Sequence, residues 1–289
     1  MRVLVTGAGG LVGRAVSDHC AAYGDDVFGF DHGSLDISDW SSLRATFAEK
    51  KPDVVINCAA WTDVDGCESD PAHAERANAL GPDLLARACR EIDGLLITIS
   101  TDYVFDGTKS GFYTQRDQPN PISIYGQSKL EGERRAQAGW ARTVVVRSGY
   151  IFGEGGKNFL STLVPRALRH ERLQAISDMV GTPTYAPDLA RRLRELAVLD
   201  LPGVFHVVNR GDGASFETFA RTALEMTGLN AASVEAVSLD ALHRPAPRPR
   251  NSRLRCLWSE ALHLAPLPHW TEALQTFITM QSGSQSAVV

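Results

Sequence analysis

The sequence predicts an α/β fold, a doubly wound parallel sheet in the N-terminal half with a smaller α/β lobe following it. Three observations carry this. Short apolar, β-branched runs alternate with segments of helical period through the first 150 residues. A glycine-rich turn stands between the first such run and the first helical segment. Beyond about residue 150 the alternation loosens, as expected of a lobe with its own topology.

Taken in order, RVLVT (2–6) is a strand and LVGRAVSDHCAAYG, with apolar residues recurring at three and four, is a helix. DVFGFD (26–31) is the second strand, SDWSSLRATFAEKK a helix opened by Ser38, and PDVVINCAA (52–60) a buried strand. DPAHAERANALGPDLLARACREI is a long helical segment despite Gly81 and Pro82, and GLLITIS (94–100) is the fourth strand. A helix around Tyr125 and the strand RTVVVRSGYIF (142–152) follow. The C-terminal half carries helical patterns at NFLSTLVPRALRH, APDLARRLRELAVL and SFETFARTALEMTG, the last capped by Ser215, and a strand at GVFHVVN (203–209). These readings place a dinucleotide-binding domain at 1–150 and a substrate lobe at 151–280, partly interleaved with the first. The polar, small-residue end at 281–289 is expected to be a disordered tail.

Composition bounds the function. With 44% hydrophobic and 22% charged residues in 289, the chain is ordinary globular protein. A net charge of -5 without a run of Lys or Arg excludes the electrostatic footprint of a nucleic-acid or membrane-surface binder. No stretch approaches a spanning length, and glycines interrupt the N-terminus too soon for a signal peptide, so a cytoplasmic protein is expected. The five cysteines are widely spaced with no C-x-x-C, which favours buried free thiols. The eight histidines show no ligand spacing, and no catalytic metal is predicted.

The first motif with chemistry is TGAGGLVG, where Gly7, Gly10 and Gly13 follow a strand and open a helix. Glycines there let the backbone turn and approach a pyrophosphate, while the helix N-terminus offers N–H groups and positive potential. Asp31 ends the second strand about twenty residues on, where a carboxylate can accept from a ribose 2'-hydroxyl. His32 rather than Arg follows it, so NADH is favoured over NADPH, with Arg14 near enough in sequence to keep a 2'-phosphate open. Together these residues make the first domain Rossmann-type.

SIYGQSKLEGE (123–133) places Tyr125 and Lys129 one helical turn apart on one face. A phenol of ordinary pKa near 10 is a poor acid or base at neutral pH, and a neighbouring ammonium would stabilise its phenolate and draw that pKa down. A hydroxyl from Ser100 or Thr101, at the end of the fourth strand, could hold the oxygen of a carbonyl that accepts hydride. Glu131, Glu133 and Arg134 are expected on the solvated side of this helix, and Tyr103 and Phe105 in packing.

The motifs TGAGGLVG, STDYVFDG, PISIYGQSKLEGE, ISDMVGTPTYAPDLA and RPRNSRL together resemble the dTDP-4-dehydrorhamnose reductase family of extended short-chain dehydrogenases/reductases, over residues 1 to 280. The resemblance implies NAD(P)H-dependent reduction of the C4 ketone of dTDP-4-dehydro-L-rhamnose. It assigns cofactor contacts to Gly10, Leu11, Val12, Asp31, Asp36 and Ile37, and further along to Ala60, Trp61 and Thr62. It gives Thr101 and Asp102 contact with the sugar, Tyr125 the proton, and Lys129 the nicotinamide ribose. Tyr150 stands at a position often Trp in the family, an aromatic face for the sugar. Arg253, with Asn251, Ser252, Arg248 and Arg250, reads either as a solvated basic loop or as a fork for the nucleotide diphosphate, and is taken forward as substrate-binding. Some members dimerise through a magnesium site of glutamates; Ala15 occupies one such position here, so that metal bridge is expected to be absent while a homodimer stays open. Two alternatives remain: a reductase or epimerase acting on another dTDP-4-dehydro-6-deoxyhexose, and a non-catalytic subunit resembling the regulatory subunit of methionine adenosyltransferase.

Overall fold

The computed structural model describes residues 1–156 and 158–286. The N-terminal half runs β1 (Arg2–Thr6), α1 (Leu11–Ala22), β2 (Asp26–Phe30), α2 (Trp40–Lys50), β3 (Val54–Asn57), α3 (Val64–Ser69), α4 (Pro71–Glu75), α5 (Gly81–Ile92), β4 (Leu95–Thr101), α6 (Ile124–Gly139) and β5 (Thr143–Ser148). The chain continues with β6 (Ile151–Phe152), α7 (Phe159–Leu168), β7 (Leu173–Ile176), β8 (Val180–Gly181), β9 (Thr184–Tyr185), α8 (Ala186–Leu199) and β10 (Gly203–His206). It ends with β11 (Ala214–Ser215), α9 (Phe216–Met226), β12 (Val234–Val237), α10 (Leu257–Ala261) and α11 (Trp270–Ser286).

A parallel sheet of six strands, ordered β10-β5-β4-β3-β1-β2, forms the centre. Strand residues alternate between its faces. Val3, Val5, Ile56 and Val146 share one core with Leu189 and Leu193 of α8. Leu4, Val55 and Leu96 share the other with Leu43 and Phe47 of α2 and Leu85 of α5. Strands covered on both faces read as continuous apolar runs, which is why they are legible without a polar alternation. The strand order reverses between β1 and β3, and the carboxyl ends there open the crevice in which such sheets take ligands.

The chain returns to this sheet after residue 151. β10 pairs with β5 in the register Val204 to Val145, closing an edge that would otherwise expose unpaired backbone, and α8 packs on α1. A third core of Phe152, Phe219, Trp270, Leu274 and Phe277 holds the C-terminal lobe.

Helix α2 is capped one residue later than the sequence pattern suggests. Ser38 spends its hydroxyl on Asp36 at 2.7 Å, and the Asp39 carboxylate caps instead, accepting from Ser41 N at 2.9 Å. The long segment over Gly81 and Pro82 stays helical because a π turn, Arg76–Leu80, joins α4 to α5. A regular helix there would press the Pro82 ring onto the Asn78 carbonyl. Helix α11 runs to Ser286, into the stretch expected as a disordered tail; residues 287–289 lie outside the described residues. No helix among the described residues is long and apolar enough to cross a membrane.

Candidate active site

The glycine turn lays the first turn of α1 on the backbone that follows β1, and Gly7 in turn lies against Cys58 and Ala59 after β3. A Cβ on Gly13 would lie 2.1 Å from the Gly7 carbonyl oxygen, so only glycine permits this approach. Gly10 is the N-cap of α1 and supplies no side-chain cap, which leaves the first-turn N–H groups directed at the crevice without a side-chain acceptor. Gly10, Leu11, Val12 and Gly13 line a cavity of about 630 Å³. An uncapped helix terminus behind a glycine cradle fits a pyrophosphate.

Tyr125 and Lys129 line that same cavity from α6, and Thr101 and Asp102 line it from the end of β4. Ser123 caps α6, accepting from Gly126 N at 3.1 Å, so the helix starts with Tyr125 in its first turn. The Lys129 ammonium donates to the Ile99 carbonyl at 2.7 Å. Thr101 lines the same cavity as Tyr125 and donates from its hydroxyl to Asp102 Oδ1 at 3.1 Å. Burial pushes the Tyr125 phenol above its ordinary value, and the Thr101 contact opposes this only in part, so the lowered phenol pKa expected from Lys129 is not what the folded chain shows. Burial also draws Lys129 down to about 8, against the pull of Glu133 and of Cys58.

Of the two hydroxyls at the end of β4, only Thr101 stays with Tyr125. Ser100 donates to Glu133, away from the phenol, because neighbouring strand residues face opposite sides. Asp102 is buried beneath Gly149, where a Cβ would meet its carboxyl carbon at 2.3 Å. Burial raises Asp102 to about 6, while hydrogen bonds from Ser252 and Thr101 oppose that shift. Tyr150 follows with a left-handed backbone, φ 54, its ring edge-on to Phe216 at 4.2 Å between centroids. Its hydroxyl and that of Ser148 are buried without a hydrogen-bond partner among the described residues, and both residues line the cavity.

A second cavity of about 480 Å³ shares Gly9, Gly10, Cys58 and Ala60 with the first and extends it past Asp31, Asp36, Ile37 and Trp61. Thr62 lines the first cavity. Asp31 accepts from Ser34 N at 2.9 Å and Ser34 Oγ at 2.8 Å, and these bonds hold its carboxyl below the usual range. Arg14 is turned onto the Gly9 carbonyl at 2.9 Å. Arg76 pairs with Asp36 at 3.1 Å and brings a cation to the Asp31 end, which no sequence motif announced.

The C-terminal lobe distributes the expected arginines among different partners. Arg253 is not brought to the site. Its guanidinium donates to Asn251 Oδ1 and to the carbonyls of Asp212 and Ser110, satisfying backbone acceptors of two loops distant in sequence. Arg250 pairs with Asp178 and Asp240. Arg248 instead lines a third cavity of about 450 Å³ with Arg166, Arg172, Arg244, Phe159 and Phe216, and Tyr103 joins this cavity to the first. Arg248 and Arg244 also pair with Asp65 at 2.9 and 3.4 Å.

Two buried polar residues beside the site also escaped the sequence. Asn78, buried within the π turn, accepts from Trp61 N at 2.9 Å and donates to Trp61 O and Ser128 Oγ, tying the loop after β3 to α6. Glu133, expected in solvent, is buried against Arg147. A larger groove of about 930 Å³ lies beyond the edge of β10, between His206 and the 254–269 segment. It contains none of the groups described above, so the chemistry points to the connected cavities along the carboxyl ends of the strands.

Residues 1–282 match the family model of the RmlD substrate binding domain. A dTDP-4-dehydrorhamnose reductase of Mycolicibacterium smegmatis is 38% identical over 286 residues, covering 98% of this chain and 86% of the relative. A solved dTDP-4-dehydrorhamnose reductase from Clostridium acetobutylicum superposes with a TM-score of 0.94 at 36% identity, covering 98% of this chain and 100% of that one. Another from Bacillus anthracis, in complex with NADP, gives 0.92 at 31% identity, covering 96% and 98%.

Proposed function

The chain belongs to the RmlD substrate binding domain family, and from that premise we propose that it is an NAD(P)H-dependent dTDP-4-dehydrorhamnose reductase, converting the C4 ketone of dTDP-4-dehydro-L-rhamnose to the alcohol of dTDP-L-rhamnose. One observation carries the chemistry: the glycine cradle, Thr101, Tyr125 and Lys129 line one cavity.

The dihydronicotinamide, when bound, supplies the hydride. Gly10, Leu11 and Val12 would hold its diphosphate at the start of α1, with Asp31, Asp36, Ile37, Ala60, Trp61 and Thr62 along the trench. Tyr125 carries its proton at neutral pH, and burial makes it a reluctant acid, so its proton would pass only as the alkoxide forms, with the Lys129 ammonium near to stabilise the phenolate. Thr101 holds the C4 oxygen as charge develops on it, and Lys129 compensates the phenolate that Tyr125 leaves behind. Asp102 and Tyr150 would receive the sugar, and a buried hydroxyl that lacks a partner, as on Tyr150, favours a hydroxylated ligand. The four arginines beside Phe159 and Phe216 suit a pyrimidine nucleoside diphosphate, charge matched to phosphate and rings to base.

The extra phenolic hydroxyl on Tyr150 also supports a second reading, reduction of another dTDP-4-dehydro-6-deoxyhexose. A cytoplasmic location belongs to the proposal, and light scattering tests homodimeric assembly. The deciding experiment follows NADH and NADPH oxidation with enzymatically made dTDP-4-dehydro-L-rhamnose and identifies the product. Turnover to dTDP-L-rhamnose supports the proposal. Turnover of a different dTDP-ketosugar alone supports the second reading, and oxidation with none overturns both.

A further inference from the structure

Glu133 lies one helical turn beyond Lys129, and the two side chains are 3% and 4% exposed. They grip consecutive residues of β4: Lys129 donates to the Ile99 carbonyl at 2.7 Å, and Ser100 donates from its hydroxyl to Glu133 Oε1. Arg147 on β5 closes the arrangement as a fork, donating from Nε to Oε1 at 3.0 Å and from Nη2 to Oε2 at 2.6 Å. Taking such a pair out of water is expensive, and apolar side chains of similar volume would fill the space at least as well. Packing therefore does not explain the carboxylate.

We propose that Glu133 is the positioning residue of Lys129, a carboxylate fixed by β4 and β5 that keeps the neighbouring ammonium in place and charged at the reacting end of the cavity. The proposal rests on the role given to Lys129 above.

The groups facing the ammonium leave this task to Glu133. On α6 these are Tyr125 and Glu133; Cys58, after β3, is pushed up to about 12 by burial and stays neutral. Arg147 stands behind Glu133, and His206 on β10, beside Arg147, is drawn down to about 3 and is also neutral. Asp102 faces Tyr125 from the other strand end. Burial lowers Lys129 and Glu133 opposes it, so removing the carboxylate leaves the ammonium with the Arg147 cation uncovered behind it.

The test reads the Lys129 titration directly. The chain has five lysines, so labelling lysine with 13C at Cε gives few resonances, with Lys129 assigned by its loss in Lys129→Arg. Glu133→Gln is expected to lower the Lys129 midpoint by roughly one pH unit, and Glu133→Asp to restore most of it. The alkaline limb of kcat/KM should move with it, because that limb follows ionisations of the free enzyme. A folded Glu133→Gln whose Lys129 midpoint is unmoved overturns the proposal. If Glu133→Gln does not fold, Glu133→Gln/Arg147→Gln removes the carboxylate together with the cation behind it, so a smaller fall of the Lys129 midpoint is expected, and a folded double variant with the midpoint unmoved overturns the proposal. A wild type that turns over no dTDP-ketosugar counts against the assigned function alone, since the titration still decides the role of Glu133.

Discussion

The Lys129 ammonium donates to the Ile99 carbonyl at 2.7 Å, so the helix bearing Tyr125 is tied to the strand that ends in Thr101. This tie makes the two substitutions on α6 separable. Tyr125→Phe keeps the helix docked and should lower kcat by about 10²–10⁴-fold with NADH binding retained. Lys129→Met cuts the tie as well, and should weaken NADH binding together with kcat. Single-turnover kinetics and fluorescence titration of NADH distinguish the two.

Gly13→Ala should abolish high-affinity cofactor binding. Its methyl would lie 2.1 Å from Gly7 O, and the cradle must open to admit it. Gly111→Ala, with nothing within 4 Å, is the control and should change stability by no more than about 0.5 kcal/mol. Calorimetric titration of NADH and thermal melts check both.

The substrate cavity predicts a split between binding and stability. Arg244→Ala should raise KM for the dTDP-sugar by roughly 10–100-fold, the loss of one charge-assisted contact, while kcat changes little. Arg253→Ala should instead lower the melting temperature with KM nearly unchanged, because its partners are loop acceptors. A KM effect confined to Arg253 would reverse the assignment.

Cofactor choice turns on Arg76 beside Asp31. If its guanidinium meets a 2'-phosphate, Arg76→Ala should cut kcat/KM for NADPH by about tenfold and leave NADH within about threefold. Equal effects on both cofactors would remove Arg76 from that role.

His206 predicts an acid limit. Its imidazole is buried and drawn down to about 3, chiefly by burial and then by Arg147. The unfolded chain protonates near 6.5, so the stability from keeping this ring neutral is complete above about pH 6.5 and is lost as pH falls toward 3. The full loss is on the order of 4 kcal/mol. Urea melts between pH 7 and 4 should show this slope, and His206→Gln should flatten it.

Much of this was readable along the chain. The β1 to α6 alternation, the glycine turn, Asp31 and the Tyr125/Lys129 spacing are local patterns, each set by backbone geometry over a few residues. Glu133 was misplaced into solvent because α6 is enclosed on more sides than an amphipathic stripe suggests: β4 and β5 meet it beyond the Lys129 turn. The sequence left the Arg248–Arg253 segment open between a solvated loop and a diphosphate fork and did not single out Arg244, since composition marks a basic loop without saying which guanidinium the carbonyls of distant loops take up.

By itself, then, the sequence determined the layers, the glycine turn and the Tyr125/Lys129 pair on one helix face, because short-range periodicity and glycine sterics leave little choice there. Tertiary structure alone decided which of Ser100 and Thr101 meets Tyr125, which arginines face the substrate cavity, and that a buried carboxylate stands behind Lys129. Those depend on what residues distant in sequence place opposite each side chain, and burial and charge pairing are properties of that encounter.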